Sequence, residues 1–136
     1  MDEVGSWAKI VIVEDNVDLA EIYKTRLELL GYVCFIAKNG IEAIELIEQE
    51  RPSLVLLDIM LPKVSGDQVL QIMRANDWGR NIKVYVISNL NQADAPLSLQ
   101  NLHIEGYSVK ANLANDQIDQ VVSNILGPGT QATPQA

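Results

Sequence analysis

Cysteine, histidine and phenylalanine occur once each in the 136 residues, and each scarcity removes a class of function. A lone Cys34 cannot close an intramolecular disulfide, and its place inside "YVCFIA" suits a small buried side chain rather than a reactive thiol. That usage is expected of a chain kept in a reducing cytoplasm. The one histidine, His103, is read as an incidental residue near a helix end. No apolar run approaches the roughly 18 residues that a membrane span needs, and "MDEVGSWAK" lacks the basic-then-apolar order of a secretion signal. No membrane partner is therefore expected. Bases are scarce too: 10 Lys and Arg face 18 Asp and Glu, a net charge of -8, which argues against direct contact with nucleic acid. After Lys83 there is a single base, Lys110.

What is present is ordinary globular material, with 48 % hydrophobic and 21 % charged residues, in a length that suits one domain. Five short apolar runs recur: "AKIVIV" at 8–13, "VCFIA" at 33–37, "LVLLD" at 54–58, "KVYVIS" at 83–88 and "GYSVK" at 106–110. Their shortness and Val/Ile content predict strands buried on both faces. Segments with helical spacing alternate with them, at 17–30, 41–50, 67–75 and 115–126. Asn16 can cap the first and Gly31 can end it. Between 91 and 104, Pro96 can begin a helix but not lie within one, and a short helix is assigned there. Residues 1–7 are read as an N-terminal extension, 8–126 as the domain, and 127–136, "GPGTQATPQA" from its first Gly-Pro onward, as a flexible tail or the start of a linker. Strict alternation of strand and helix predicts an α/β fold with a parallel sheet and helices on both faces.

In such a sheet the functional site lies at the carboxyl ends of the strands. Glu14 and Asp15 follow the first run, Asp58 ends the third, Ser88 the fourth and Lys110 the fifth. Crowded carboxylates repel one another and recruit a cation, and oxygen donors without His or Cys suit Mg2+, which commonly keeps substrate phosphate oxygens as further ligands. Lys110 and Ser88 can then donate to a phosphoryl group. Asp58, alone at the end of a central strand, is the candidate acceptor of that group as an aspartyl phosphate. Each residue alone has a plainer explanation: an acidic pair often sits at a helix start, and an Asp often opens a turn. The joint constellation carries the reading.

Taken together, "VEDN" after strand one, "LLDIMLPKVSG" at strand three, "VISN" at strand four and "GYSVK" at strand five resemble the receiver domain of two-component response regulators, over residues 8 to 126. The resemblance implies a single doubly wound (βα)5 flavodoxin-like domain with strand order 2-1-3-4-5. It implies that Asp58 is phosphorylated, that Asp15 and Asp58 bind Mg2+ directly, and that Glu14 acts through water with the Met60 backbone carbonyl as a further ligand. Ser88 would be the switch hydroxyl, Tyr107 the switch aromatic and Lys110 the phosphate-binding lysine. The implied donor is a histidine kinase or a His-containing phosphotransfer protein, and the implied output is a downstream protein effector. The implied chemistry is limited to the chain's own phosphotransfer and dephosphorylation.

Three departures from that pattern stand out. Ala111 replaces the usual proline after the lysine, so a trans Lys110–Ala111 peptide is expected. Asn89 replaces a small residue after the switch hydroxyl. Met60 and Leu90 would flank the path of hydrolytic water and slow loss of the phosphoryl group. Family members that dimerise through the fourth helix, fifth strand and fifth helix use complementary charges, and with no base there except Lys110 a monomer is expected before phosphorylation. A phosphohydrolase of the haloacid dehalogenase type would need an Asp at position 60, and a flavin site would be repelled by Glu14 and Asp15. The remaining alternative is a receiver-like interaction module not regulated by phosphorylation.

Overall fold

The computed structural model describes residues 8–113 and 117–127; the expected extension at 1–7 and all of the expected tail beyond Gly127 lie outside the described residues. Five strands, β1 (Lys9–Val13), β2 (Val33–Ala37), β3 (Leu54–Leu57), β4 (Lys83–Ser88) and β5 (Gly106–Val109), pair in parallel in the order β2-β1-β3-β4-β5. Helices α1 (Val17–Leu29), α2 (Gly40–Glu50), α3 (Gly66–Ala75) and α4 (Gln117–Leu126) cover the two faces. This is the parallel α/β arrangement expected from the alternation, in the doubly wound flavodoxin-like form and strand order that the resemblance implies.

Period-two geometry divides each strand between two cores. Val11, Val13, Val55, Leu57, Val84 and Val86 face Ala43 and Ile47 of α2 and Val69, Leu70 and Met73 of α3. Ile10, Ile12, Leu54, Leu56 and Ile87 face Ala20, Tyr23 and Leu27 of α1 and Ile118 and Val122 of α4. Because both sides are covered, β3 is buried at every position, which is why its sequence "LVLL" has no polar alternation. Edge strand β5 is half-buried throughout.

Helix starts follow from local chemistry. Asn16 accepts from the Leu19 N–H at 3.1 Å and Asn39 from the Glu42 N–H at 2.9 Å, while the Gln68 side chain accepts from the Ser65 N–H at 3.1 Å. Gly31, with φ of 98°, occupies the left-handed position after α1 that glycine takes without strain. No helix among the described residues is long and apolar enough to cross a membrane.

The fourth crossover differs from expectation. Instead of one short helix, residues 91–104 form two 3-10 turns, Gln92–Asp94 and Leu97–Asn101, separated by Ala95 and Pro96 in extended conformation. Pro96 has no N–H to donate backward and holds Ala95 out of the helical region, so each side closes only one tight turn. Arg74 at the end of α3 ties this segment down. Its Nε donates to the Leu102 carbonyl at 2.7 Å and its Nη2 to the His103 carbonyl at 2.8 Å, while Nη1 reaches the carbonyls of Gly79 at 3.0 Å and Ile82 at 2.8 Å. A planar guanidinium with five donors suits such a multiple carbonyl clamp.

Candidate functional site

Strands β1 and β3 run side by side, so the residues that follow them emerge together at the carboxyl edge. The Glu14 N–H donates to the Ala37 carbonyl at 3.0 Å and the Asp58 N–H to the Val13 carbonyl at 3.1 Å, extending the sheet ladder into both acids. Their residues are 2 % and 3 % exposed, and Ser88, ending β4, is 0 % exposed. Buried carboxylates need partners. Glu14 Oε2 accepts from the Asn16 N–H at 3.0 Å, and Asp58 Oδ1 from the Met60 N–H at 3.0 Å.

Lys110 supplies the charge. Its Nζ lies 2.7 Å from Glu14 Oε1, 2.9 Å from Glu14 Oε2 and 2.7 Å from Asp58 Oδ2. Burial alone would lower its pKa, but hydrogen bonds and charge from Asp58 and Glu14 hold it above the ordinary lysine range. Burial raises the Glu14 carboxyl, and Lys110 and the Asn16 N–H only partly offset this. No described peptide bond is cis, so the expected trans Lys110–Ala111 bond is found, and the lysine reaches both acids with alanine after it.

Asp15 is exposed at the rim, and one carboxylate oxygen each from Glu14, Asp15 and Asp58 lie within 4.8 Å of one another. Three carboxylates against one ammonium leave two negative charges, which one divalent cation balances. The all-oxygen donor set fits a hard ion such as Mg2+. The only hollow among those described that touches these acids is about 10 Å³, lined by Glu14 and Asp58 with Tyr23, Leu56 and Ile87 among others. It is too small to enclose an organic substrate.

Gly66 sets the loop leaving this edge. A Cβ there would lie 2.1 Å from the Asp58 carbonyl oxygen and 2.6 Å from the Ile59 Cα, so only glycine lets α3 start so close to the end of β3. The "DIMLPKVSG" spacing thus has a physical cause.

Ser88 and Tyr107 meet through a residue that the sequence did not single out for this role. The Leu90 N–H donates to Ser88 Oγ at 3.3 Å, and the Tyr107 hydroxyl donates to the Leu90 carbonyl at 2.7 Å. One amino acid therefore joins hydroxyl and aromatic through its backbone, and because every residue type except proline provides both N–H and C=O, no sequence signal could reveal it. Met60 was read for its carbonyl, yet its N–H is the group that touches Asp58. Its side chain is 54 % exposed beside the site.

Comparison with known proteins agrees with this geometry. A family model described as "Response regulator receiver domain" matches residues 10–123. A probable transcriptional regulator, ycf27, from Guillardia theta is 33 % identical over 102 residues, which cover 75 % of this chain and 39 % of that protein. The chain thus spans about two fifths of the length of this relative. Sporulation initiation phosphotransferase F of Bacillus subtilis (strain 168) is 34 % identical over 86 residues, 63 % of this chain and 68 % of that one. Among solved structures, the receiver domain of a sensor histidine kinase from Pseudomonas aeruginosa PAO1, with a magnesium ion coordinated in its active site cleft, superposes with a TM-score of 0.78 at 24 % identity, covering 89 % of this chain and 98 % of that one.

Proposed function

The chain belongs to the response regulator receiver domain family, and on that premise we propose that it is a phosphorylation-activated switch in which Asp58 accepts a phosphoryl group from a phosphohistidine donor. The donor is a histidine kinase or a His-containing phosphotransfer protein, and the readout is a changed surface for a downstream protein effector. The observation that carries this reading is the Lys110 ammonium bridging buried Glu14 and Asp58 at 2.7 Å from each, in a cluster left two charges negative.

A phosphorus–oxygen bond forms from Asp58 as the donor's phosphorus–nitrogen bond breaks, and the departing imidazole takes up a proton. The nucleophile is a carboxylate oxygen, which carries no proton to be removed as the bond forms, so no general base is required. Glu14, Asp15, Asp58 and the Met60 carbonyl would hold Mg2+, which when bound supplies positive charge to the transferring phosphoryl oxygens. Lys110, holding two carboxylates, can turn one contact over to a phosphoryl oxygen, a charge-assisted bond of the same kind. The chain turns over no external substrate apart from this transfer and the hydrolysis of its own product.

The readout runs through Leu90. A phosphoryl oxygen accepts from the Ser88 hydroxyl, and the side-chain movement that brings this hydroxyl to it carries Oγ away from the Leu90 N–H, whose 3.3 Å bond is the longer of the two on that residue. Once that bond is lost, Leu90 and the Tyr107 that donates to it are free to shift together. The alternative, an interaction module never phosphorylated, leans on Ala111 and Asn89, but Ala111 does not misdirect Lys110.

Incubation with a small phosphodonor such as acetyl phosphate and Mg2+, followed by intact mass, tests the reading. Wild type should gain one phosphoryl group, and Asp58→Asn none. Absence of any gain in wild type would sink it.

A further inference from the structure

Period-two geometry carries Glu14 on from Ile10 and Ile12, and Asp58 on from Leu54 and Leu56, so both acids leave the sheet on the face that α1 and α4 cover. The stripe that α1 turns toward that face is Ala20, Tyr23 and Leu27, spaced as one side of a helix. Tyr23 is 4 % exposed and, with Glu14 and Asp58, lines the hollow of about 10 Å³ at the site. An apolar side chain would serve for packing alone, whereas a buried tyrosine hydroxyl ordinarily finds a hydrogen-bond partner.

The rest of that lining, Ile12, Val13, Leu56 and Ile87, has no polar side chain, which leaves the phenol as its one side-chain donor toward the carboxylates. At about 10 Å³ the hollow is at the lower limit of what admits one water, so solvent is a poor substitute from this side. Burial holds the hydroxyl above the ordinary tyrosine value of 10.0, and the charges of Glu14 and Asp58 add to this against Lys110, so it stays a neutral donor. Such a donor binds a carboxylate without cancelling the two negative charges that a divalent cation would balance.

In the resting arrangement both oxygens of Glu14 face Lys110, and Oε2 also accepts from the Asn16 N–H. Among the described contacts Oε1 depends on Lys110 alone. The phosphoryl group is carried by Asp58, so the contact that Lys110 gives up on turning to it is the one to Glu14. Oε1 is then a buried acceptor without a donor, which costs more than the bond itself was worth. We propose that Tyr23 is a positioning residue for this exchange: its hydroxyl donates to Glu14 as Lys110 turns to the phosphoryl group on Asp58. This role rests on the switch proposed above. Tyr23 touches no reacting atom; it keeps Glu14 in place at the edge and lets Lys110 leave it.

The test uses the full chain with its tyrosines isotope-labelled at the ring carbon that bears the hydroxyl, the Tyr23 signal being the one lost in Tyr23→Phe. Mg2+ with beryllium fluoride, a mimic of the phosphoryl group, should move that signal downfield, the direction of stronger donation, and Asp58→Asn should abolish the movement. Tyr23→Phe keeps the ring and should bind the mimic about tenfold more weakly, read from amide resonances near the site. Tyr32→Phe is the control: Tyr32 is 2 % exposed in the same core but precedes β2, at the other end of the strands, and its substitution should leave the affinity for the mimic unchanged. Equal affinity in wild type and Tyr23→Phe, an unmoved Tyr23 signal, or equal weakening by the two Phe substitutions would overturn the proposal, the last because a lost hydroxyl would then act through packing. Intact mass after acetyl phosphate treatment separates this failure from that of the switch. A chain that gains a phosphoryl group while Tyr23→Phe matches wild type keeps the switch and loses only the role of Tyr23, whereas one that gains none loses both.

Discussion

The carboxyl edge of β1 and β3 and the outer face of β5 are built on opposite plans. At the first, Glu14, Asp58 and Ser88 are buried, the hydrogen bonds of the two acids are charge-assisted or part of the sheet ladder, and Gly66 brings α3 against the Asp58 backbone. At the second, β5 is half-buried, the crossover before it is two 3-10 turns held by Arg74, and an apolar side chain stands in solvent. Tight, satisfied burial holds reacting groups within a fraction of an ångström, and loose packing leaves a surface free to rearrange. The switch proposed above would need both, one region to hold the phosphoryl group and the other to change shape.

Removing the cation from the tight region should have the largest effect. Lys110→Met leaves two buried carboxylates with backbone N–H donors but no cationic partner, and we expect a loss of about 3–5 kcal/mol in urea unfolding at neutral pH. The deficit should shrink in acid, and Glu14 should be protonated early because burial holds its pKa above the ordinary value. In wild type the sign runs the other way at high pH. The Lys110 pKa is raised on folding, so its contribution is complete below the ordinary value of 10.5 and lost as pH rises through the higher folded value. A neutral-pH loss under about 1 kcal/mol would mean that the ion pair does not hold the site together.

Glycine substitutions compare the two plans directly. A Cβ at Gly66 meets the Asp58 carbonyl oxygen at 2.1 Å, whereas at Gly106 it meets the edge of the Tyr85 ring at 2.5 Å. Backbone cannot yield, but a ring can swing. Gly66→Ala should cost about 3 kcal/mol and slow phosphorylation, and Gly106→Ala nearer 1 kcal/mol. Equal costs by chemical denaturation would show that both regions are equally unyielding.

The same contrast decides what could be read from the amino acids. The strands of the centre declare themselves because burial on both faces removes all polar alternation, and the helices because one apolar face repeats. That three acids and one lysine gather was legible, because they stand at strand ends that share one edge of a parallel sheet. The pairing of Lys110 with Glu14 as well as Asp58 was not, because sequence spacing fixes neither side-chain reach nor rotamer. The bridge at Leu90 was invisible because backbone groups carry no residue signature. Residues 91–104 were misjudged as one helix because Pro96 is compatible with a helix start, and only the packing around Leu99 and the Arg74 clamp decide between one α-helix and two tight turns.

Arg74 tests whether the looser face is held as a unit. Arg74→Met removes donors to several carbonyls at once, and exchange of amides between 99 and 107 should rise about tenfold, equivalent to about 1.4 kcal/mol of local opening. Protection in β1 and β3 should not change. Uniform acceleration across all strands would show that the clamp supports the whole fold rather than this face.

The smallest expected effect lies where the two regions meet. Met60 follows Asp58 by two residues and is 54 % exposed, while Leu90, half-buried, carries the backbone link to Tyr107. Apolar side chains at the mouth of the site offer no hydrogen bond to an incoming water, so hydrolysis of the aspartyl phosphate should be slow. Met60→Asn supplies such a partner without touching the buried ion pair. Phosphoryl loss, followed by intact mass after removal of the donor, should accelerate by up to about tenfold, the equivalent of roughly 1.4 kcal/mol in the barrier. Urea stability should stay within about 0.5 kcal/mol of wild type, since an exposed side chain contributes little to the core. A changed rate with unchanged stability separates control of the phosphoryl lifetime from the integrity of the site; an unchanged rate would show that water reaches Asp58 by a path that Met60 does not guard.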